Sequence, residues 1–80
     1  MFTLYVKDNC AFSQKVRDVA KDLGISLNEK NIKNPAYLAE LMEKGGRRQT
    51  PCFVDDETGT ALYESFPIIK YLKNQSTNAT

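Results

Sequence analysis

Histidine and tryptophan are both absent from this sequence, and only two of its 80 residues are cysteines. Without histidine the chain lacks the commonest metal ligand, and it can build neither a Cys–His nor a Ser–His catalytic pair. Two cysteines cannot complete a closed zinc site within one chain unless carboxylates supply the other ligands. Any chemistry must therefore rest on cysteine, carboxylate, hydroxyl or cationic side chains.

An excess of one charge and long apolar runs are missing as well. Eleven Lys and Arg residues stand against ten Asp and Glu, for a net charge of +1, so no strong field attracts nucleic acid or an anionic membrane. No apolar run is long enough to span a bilayer, and Met1–Val6 lacks the features of a signal peptide. We expect a cytoplasmic monomer that keeps its cysteines reduced and has no nucleic-acid or membrane partner.

One stretch combines a cysteine with features that make a thiol reactive. The apolar run Phe2–Val6 predicts a strand and residues 11–23 have helical periodicity, so Cys10 lies where a strand ends and a helix begins. Unpaired N–H groups and the helix dipole stabilise a thiolate there, and Lys7 adds a nearby positive charge. Cysteines in such surroundings titrate at roughly 3.5–7.5 instead of about 8.5. Cys10 is a candidate nucleophile; a buried structural cysteine is the alternative that its position leaves open.

Turn and capping residues divide the rest of the chain into further elements. Residues 25–32 predict a more exposed second strand, and residues 50–54 and 61–63 predict a hairpin whose acidic loop is 55–60. The residues expected to begin or end helices are Asp8 or Asn9, Gly24, Asn34, Pro35, Gly45, Gly46, Ser65 and Pro67.

The resulting order, β-α-β-α-β-β-α, predicts an α/β fold with a four-stranded mixed sheet and three helices packed on its faces. Its length suits one small core, so we expect one domain over residues 1–73. Residues 74–80 are polar and predict a C-terminal tail.

Three motifs then stand in a specific order. They are Lys7 with Cys-Ala-Phe-Ser at 10–13, Thr50-Pro51 at the start of a strand, and Glu64-Ser65 at the start of the last helix. From Thr3 to about Lys73 the chain resembles a glutaredoxin, the small glutathione-using branch of the thioredoxin fold, in its monothiol form. Residues 45–72 are also similar to the glutathione-binding half of glutathione transferases, proteins that add a helical second domain for which we expect no counterpart here.

The resemblance implies a glutathione site and a role for each residue in it. A cis peptide bond at Thr50-Pro51 would let the Thr50 backbone pair with glutathione like an added strand. Ser65 at a helix N-terminus suits the γ-glutamyl carboxylate, and Glu64 suits the ammonium group. The residues implied to contact glutathione are Lys7, Phe12, Gln49, Thr50, Pro51, Glu64 and Ser65, with Arg47 or Arg48 as alternatives to Lys7 for the glycine carboxylate.

Simpler explanations stay open for each motif. Glu64-Ser65 is also an ordinary helix start, Thr50-Pro51 an ordinary strand start and the arginine pair a solvated connection. Phe12 either flanks the thiol or joins the core. Cys52 is either a buried strand residue or a resolving thiol for Cys10.

Ser13 stands where dithiol glutaredoxins have a second cysteine, so the resemblance implies a one-cysteine reaction. Cys10 would attack glutathione mixed disulfides, with glutathione and glutathionylated proteins as partners. Cys-Ala-Phe-Ser is also close to the Cys-Gly-Phe-Ser of glutaredoxins that hold a [2Fe–2S] cluster in a glutathione-bridged dimer. The Trp-Pro segment and the longer loop typical of that class are missing. A redox-inert module that binds glutathione or protein is the other alternative.

Overall fold

A computed structural model describes the backbone of residues 1–78 and the side chains of residues 1–75. The elements have the predicted order: β1 (Phe2–Val6), α1 (Ala11–Asp22), β2 (Leu27–Asn31), α2 (Pro35–Gly45), β3 (Cys52–Asp55), β4 (Thr60–Tyr63) and α3 (Ser65–Asn78). The strands form one mixed sheet in the order β2-β1-β3-β4. β1 is parallel to β2 and antiparallel to β3, which pairs with β4 as the predicted hairpin.

The sheet has a hydrophobic core on each face. Leu4, Val6 and Phe53 point to one face, where they pack with residues of α1 and α3. Tyr5, between Leu4 and Val6 in β1, points to the other face and packs against Leu41 of α2. Because side chains alternate along a strand, the apolar run in β1 is buried on both faces, as its composition predicted.

Each helix forms where its apolar spacing and end residues favour it. Val16 and Ala20 of α1, and Ile68 and Leu72 of α3, are buried pairs four residues apart. Before α2, the Asn34 carboxamide oxygen accepts a hydrogen bond from the N–H of Ala36 at 2.9 Å, as expected for an N-cap. Gly46 ends this helix with a left-handed φ of 81°.

The start of α1 differs from the expectation. Its N-cap is Cys10, not Asp8 or Asn9. Asn9 has a left-handed φ of 57°, a conformation that Asn tolerates better than most residues. The Asp8 carboxylate instead accepts a hydrogen bond from the Asn31 side chain at 2.8 Å, which ties the loop before Cys10 to the end of β2.

The last helix also differs from the expectation at both ends. Ser65 is its first residue rather than its cap, because Glu64 turns the chain with a left-handed φ of 71°. The helix continues past Lys73 to Asn78, where a polar tail was predicted. Once a helix has formed, each added residue gains a hydrogen bond, so polar residues can extend it. Residues 79 and 80 of that tail lie outside the described residues.

Asp55 was expected in the hairpin loop, but it is the last residue of β3 and is buried. Its carboxylate accepts hydrogen bonds from the Tyr71 hydroxyl at 2.6 Å and from the Glu57 N–H at 3.1 Å. These bonds compensate for the loss of water around the charge. No helix in the described part of the chain is long and apolar enough to cross a membrane.

Candidate functional site

Three chain segments meet at one end of the sheet. The first is the β1–α1 junction with Cys10, the second is the loop before β3, and the third is the start of α3. The Thr50-Pro51 peptide bond in the second segment is cis, as the resemblance implied. The Thr50 hydroxyl lies 3.9 Å from the Cys10 sulfur, so two of the predicted motifs are in contact.

Cys10 is partly exposed and sits at the N-cap of α1, where its thiol forms no capping hydrogen bond. Desolvation by burial is the largest single influence on the pKa of this thiol and raises it. Hydrogen bonding from Ser13, from the Thr50 hydroxyl and from the Phe12 N–H together outweighs desolvation, so the pKa is lowered from its ordinary value. The arrangement therefore favours a thiolate that solvent can reach.

Ser13 is fully buried three residues after Cys10. Its hydroxyl has no hydrogen-bond partner among the described residues, although it is one of the groups that lower the pKa of Cys10. The two observations agree if the O–H turns to the sulfur when the thiol ionises. A side chain at this helical position can reach back to the N-cap, as in a capping box.

Most of the residues predicted to bind glutathione line one groove of about 330 Å³ beside the thiol. Six of its seven lining residues were predicted, and Phe66 was not. The groove is lined by Phe12, Gln49, Thr50, Pro51, Glu64, Ser65 and Phe66. Phe12 is 57% exposed and therefore does not join the core.

Lys7 lines a second, cationic groove of about 600 Å³ on the other side of Thr50. This groove also contains Arg48 and an ion pair of Lys33 with Asp8 at 3.7 Å, and it shares Gln49 and Thr50 with the first. Neither the Lys7 nor the Arg48 side chain forms an ion pair or hydrogen bond with another described residue. The two grooves meet at Gln49 and at Thr50, which contacts Cys10, although Cys10 itself lines neither groove. Cys10 itself lines a separate cleft of about 380 Å³, beside Gln14 and Arg17.

A larger groove, of about 690 Å³, lies elsewhere in the described part of the chain. It is lined by Met1, Phe2 and Leu27 among others, at the opposite end of β1 from Cys10. None of the predicted site residues lines it, and its size alone therefore gives no reason to place the chemistry there.

Cys52 is fully buried in the core between the sheet and α2. Burial raises the pKa of its thiol to about 11, although hydrogen bonding with Tyr63 and the charge of Arg47 oppose this. Both cysteines are free. Cys52 is therefore the buried strand residue of the two alternatives, and a resolving role does not fit a buried thiol with a raised pKa.

Tyr63, like Phe66, was not predicted to belong to the site. Its hydroxyl donates to the Arg47 carbonyl at 2.7 Å and accepts from the Arg47 N–H at 3.0 Å. The Arg47 guanidinium lies 4.2 Å from the Tyr63 ring centroid, and a Cβ added to Gly45 would overlap the hydroxyl. Tyr63 thus anchors the loop that leads to Gln49 and Thr50. The sequence did offer one indication that Tyr63 belongs to the site, because this tyrosine directly precedes the Glu64-Ser65 motif.

Residues 4–79 match the family described as Glutathione S-transferase, N-terminal domain. The chain belongs to this family. No curated protein matches the sequence at a significant level. The fit to the family covers all three motifs, and it agrees with the similarity of residues 45–72 to glutathione transferases.

Solved structures show how this glutathione transferase N-terminal domain compares with known folds. The thioredoxin-like protein BC3987 is 19% identical, with a TM-score of 0.78, and the match covers 90% of this chain and 99% of that one. Ure2p in complex with glutathione is 20% identical, with a TM-score of 0.81, over 99% of this chain and 34% of Ure2p. A glutathione S-transferase from the Antarctic clam Laternula elliptica is 24% identical, with a TM-score of 0.77, and the match covers 95% of this chain and 35% of the clam protein.

These identities show the fold alone, and the fold of this domain is thioredoxin-like, as predicted. The chain spans nearly all of BC3987 but only about a third of Ure2p and of the clam transferase. The glutaredoxin activity and the roles of the individual site residues stay predictions.

Proposed function

We propose that this chain is a glutathione-dependent thiol-disulfide oxidoreductase that reduces glutathione mixed disulfides through Cys10. The observation that carries the proposal is a partly exposed cysteine of lowered pKa in contact with Thr50, a residue that lines both grooves. We further propose that it works as a monomer in the cytoplasm, where thiols are kept reduced.

The two grooves fit the two ends of glutathione. Ser65, at the start of α3, offers unpaired N–H groups and a hydroxyl to the γ-glutamyl carboxylate, and Glu64 offers a carboxylate to the ammonium. Lys7 and Arg48 line the other groove and suit the glycine carboxylate. Arg47 is less suited, because its guanidinium stacks on Tyr63. The cysteine of glutathione would then lie at Thr50, next to the Cys10 sulfur.

The reaction has two balanced steps. The Cys10 thiolate forms a bond to the glutathione sulfur of a mixed disulfide, and the partner thiolate leaves. A second glutathione thiolate then attacks the glutathione sulfur bound to Cys10, which releases glutathione disulfide and restores the Cys10 thiolate. A lowered pKa helps both steps, because it raises the thiolate fraction at neutral pH and makes Cys10 a better leaving group.

Turnover of a small glutathione mixed disulfide, with glutathione and its reductase, tests this function. We expect turnover by the parent, none by Cys10→Ser, and turnover close to the parent's by the matched control Cys52→Ala. An inert parent would overturn the oxidoreductase function. An inert parent in which Cys10 also titrates like an ordinary thiol would support the redox-inert module.

In the iron–sulfur alternative, Cys10 is a cluster ligand instead of a nucleophile. A bridged [2Fe–2S] cluster takes one cysteine thiolate from each of two copies and two glutathione thiols. Cys10 is accessible enough for this role, whereas Cys52 is fully buried. Anaerobic reconstitution with iron, sulfide and glutathione separates the functions. Visible absorbance that Cys10→Ser abolishes supports cluster carriage, and a colourless protein that turns over mixed disulfides supports the oxidoreductase.

A further inference from the structure

Two exposed aromatic side chains line the same groove at the candidate site. Phe12 is 57% exposed and Phe66 is 78% exposed, and both line the 330 Å³ groove. Apart from them, the exposed large apolar side chains in the described part of the chain are Met1, beside the remote groove, and Met42 on α2. We call Phe12 and Phe66 the phenylalanine pair. Paired apolar side chains at a polar cleft indicate a contact with another molecule.

Glutathione alone does not account for the phenylalanine pair. The tripeptide carries charged groups at both ends, and the polar residues of the two grooves suit those groups. Phe66 is more exposed than any other described aromatic residue that lines either groove. Its outward face is available to whatever is attached to glutathione.

Cations flank the phenylalanine pair. The Lys15 ammonium lies 5.7 Å from the Phe12 ring centroid. Lys70 is exposed and follows Phe66 by four residues in α3, which places it on the same side of the helix. We call Lys15 and Lys70 the flanking lysines. The surface is therefore apolar at its centre, with the two flanking lysines at its rim, while the Glu64 carboxylate in the same groove is assigned to the ammonium of glutathione.

Area and charge both argue against a second copy of this chain as the occupant. A phenylalanine buries at most roughly 150–250 Å², so the pair supplies much less than the roughly 800 Å² per partner of a stable interface. Two copies meeting at this surface would also bring their flanking lysines together. A short, transient contact with an acidic and apolar segment fits the surface better.

We propose that the phenylalanine pair docks an extended segment of the glutathionylated substrate protein. This segment carries an apolar side chain beside the modified cysteine and an acidic residue within reach of the flanking lysines. The inference rests on the proposed function and extends it to the choice of protein substrate. In the first step, the bond between the glutathione sulfur and the substrate cysteine breaks, and the docked segment leaves as a thiolate.

Two glutathionylated peptides, identical except for leucine or serine beside the modified cysteine, test the docking. We expect the parent to prefer the leucine peptide in kcat/KM by about tenfold, as hydrophobic pockets do for small apolar differences. Phe66→Ser should bring the ratio close to one, and the matched control Met42→Ser should keep it. The proposal is overturned if the parent shows no preference, or if Phe66→Ser keeps it.

A binding measurement separates this inference from the proposed function. The same peptides with serine in place of the modified cysteine cannot react, and they can be titrated into the labelled protein and followed by NMR. Amide shifts at residues 12 and 66 with the leucine peptide only would support docking even if no mixed disulfide is turned over. Shifts elsewhere, or equal shifts with both peptides, would overturn it.

Sedimentation tests the second copy as occupant. We expect the parent and Phe66→Ser to sediment identically as monomers. A parent dimer that Phe66→Ser dissociates would assign the phenylalanine pair to self-association and overturn the proposal.

Discussion

The hydroxyl of Thr50 lies 3.9 Å from the sulfur of Cys10, although 40 positions separate the two residues in the sequence. They meet because β3 is antiparallel to β1, with Cys52 opposite Tyr5. The loop before β3 therefore lies beside the residues that follow β1. This contact links the ionisation of the thiol to the loop that carries Gln49 and Thr50.

Replacing Thr50 with valine should raise the pKa of Cys10. The variant Thr50→Val keeps the side-chain shape and removes the O–H that favours the thiolate. The rate of alkylation by iodoacetamide, measured against pH, reports the thiolate fraction. We expect the parent to reach half its maximal rate below the ordinary cysteine pKa of about 8.5, and Thr50→Val to do so at higher pH. Identical profiles for the two proteins would contradict the role of the hydroxyl.

Ser13→Ala should separate stability from reactivity. The buried Ser13 hydroxyl has no partner among the described residues, and an unsatisfied buried polar group typically costs 1–3 kcal/mol. At a pH where the Cys10 thiol is protonated, removing this hydroxyl should therefore stabilise the fold by about 1 kcal/mol. The same change removes a donor to the thiolate, so the pKa of Cys10 should rise. Urea unfolding and the alkylation profile measure the two effects. A less stable variant with an unchanged profile would show that the hydroxyl serves packing alone.

Tyr63→Phe should weaken glutathione binding by loosening the loop before Thr50. The variant loses both hydrogen bonds to the Arg47 backbone, each worth about 0.5–1.5 kcal/mol, and so loosens the loop before Thr50. We expect a severalfold higher KM for glutathione and, because the same loop carries the Thr50 hydroxyl, a pKa of Cys10 that rises no further than in Thr50→Val. Gly45→Ala, which forces a Cβ onto the same hydroxyl, should have the same effect. A shifted alkylation profile with an unchanged KM would contradict this positioning role.

The parts of the fold that depend on local patterns were predictable. The burial of β1 on both faces follows from its apolar run, and the ends of α2 follow from Asn34 and Gly46. The cap of α1 was not predictable, because Asn9 adopts a left-handed conformation and Asp8 bonds to Asn31, a residue of another strand. The spacing of residues in the sequence does not reveal tertiary contacts of this kind.

The site was predictable as a set of motifs, but its surroundings were not. The resemblance picked out six residues that line one groove, and it left Lys7 on the adjoining groove. Sequence spacing could not show that Ser13 keeps a buried, unpaired hydroxyl or that Tyr63 anchors residue 47. Phe66 follows Glu64-Ser65 in a helix with apolar residues, so its exposure becomes visible only when α3 is packed.

The buried carboxylate of Asp55 should make stability depend on acid pH. The Tyr71 hydroxyl donates to it at 2.6 Å, and this bond is the main cause of the lowered pKa of Asp55. A lowered pKa means that the unfolded state binds the proton more readily than the folded state. The stabilisation is therefore fully present above the unfolded pKa of about 3.9, and it is lost as the pH falls through the folded value.

Tyr71→Phe removes the donor and should reduce this acid dependence. We expect the variant to be less stable than the parent at pH 7, by about 1.5–3 kcal/mol for a hydrogen bond to a charged group, and the difference to shrink as the pH falls below 4. Some acid dependence should persist, because the Thr3 hydroxyl holds the pKa of Asp56 low as well. Urea unfolding between pH 2.5 and 7 measures the free energy of unfolding of both proteins. Asp22→Asn, an exposed change at the end of α1, is the control. A stability difference between Tyr71→Phe and the parent that stays constant over this range would show that the hydroxyl stabilises the fold independently of the Asp55 charge.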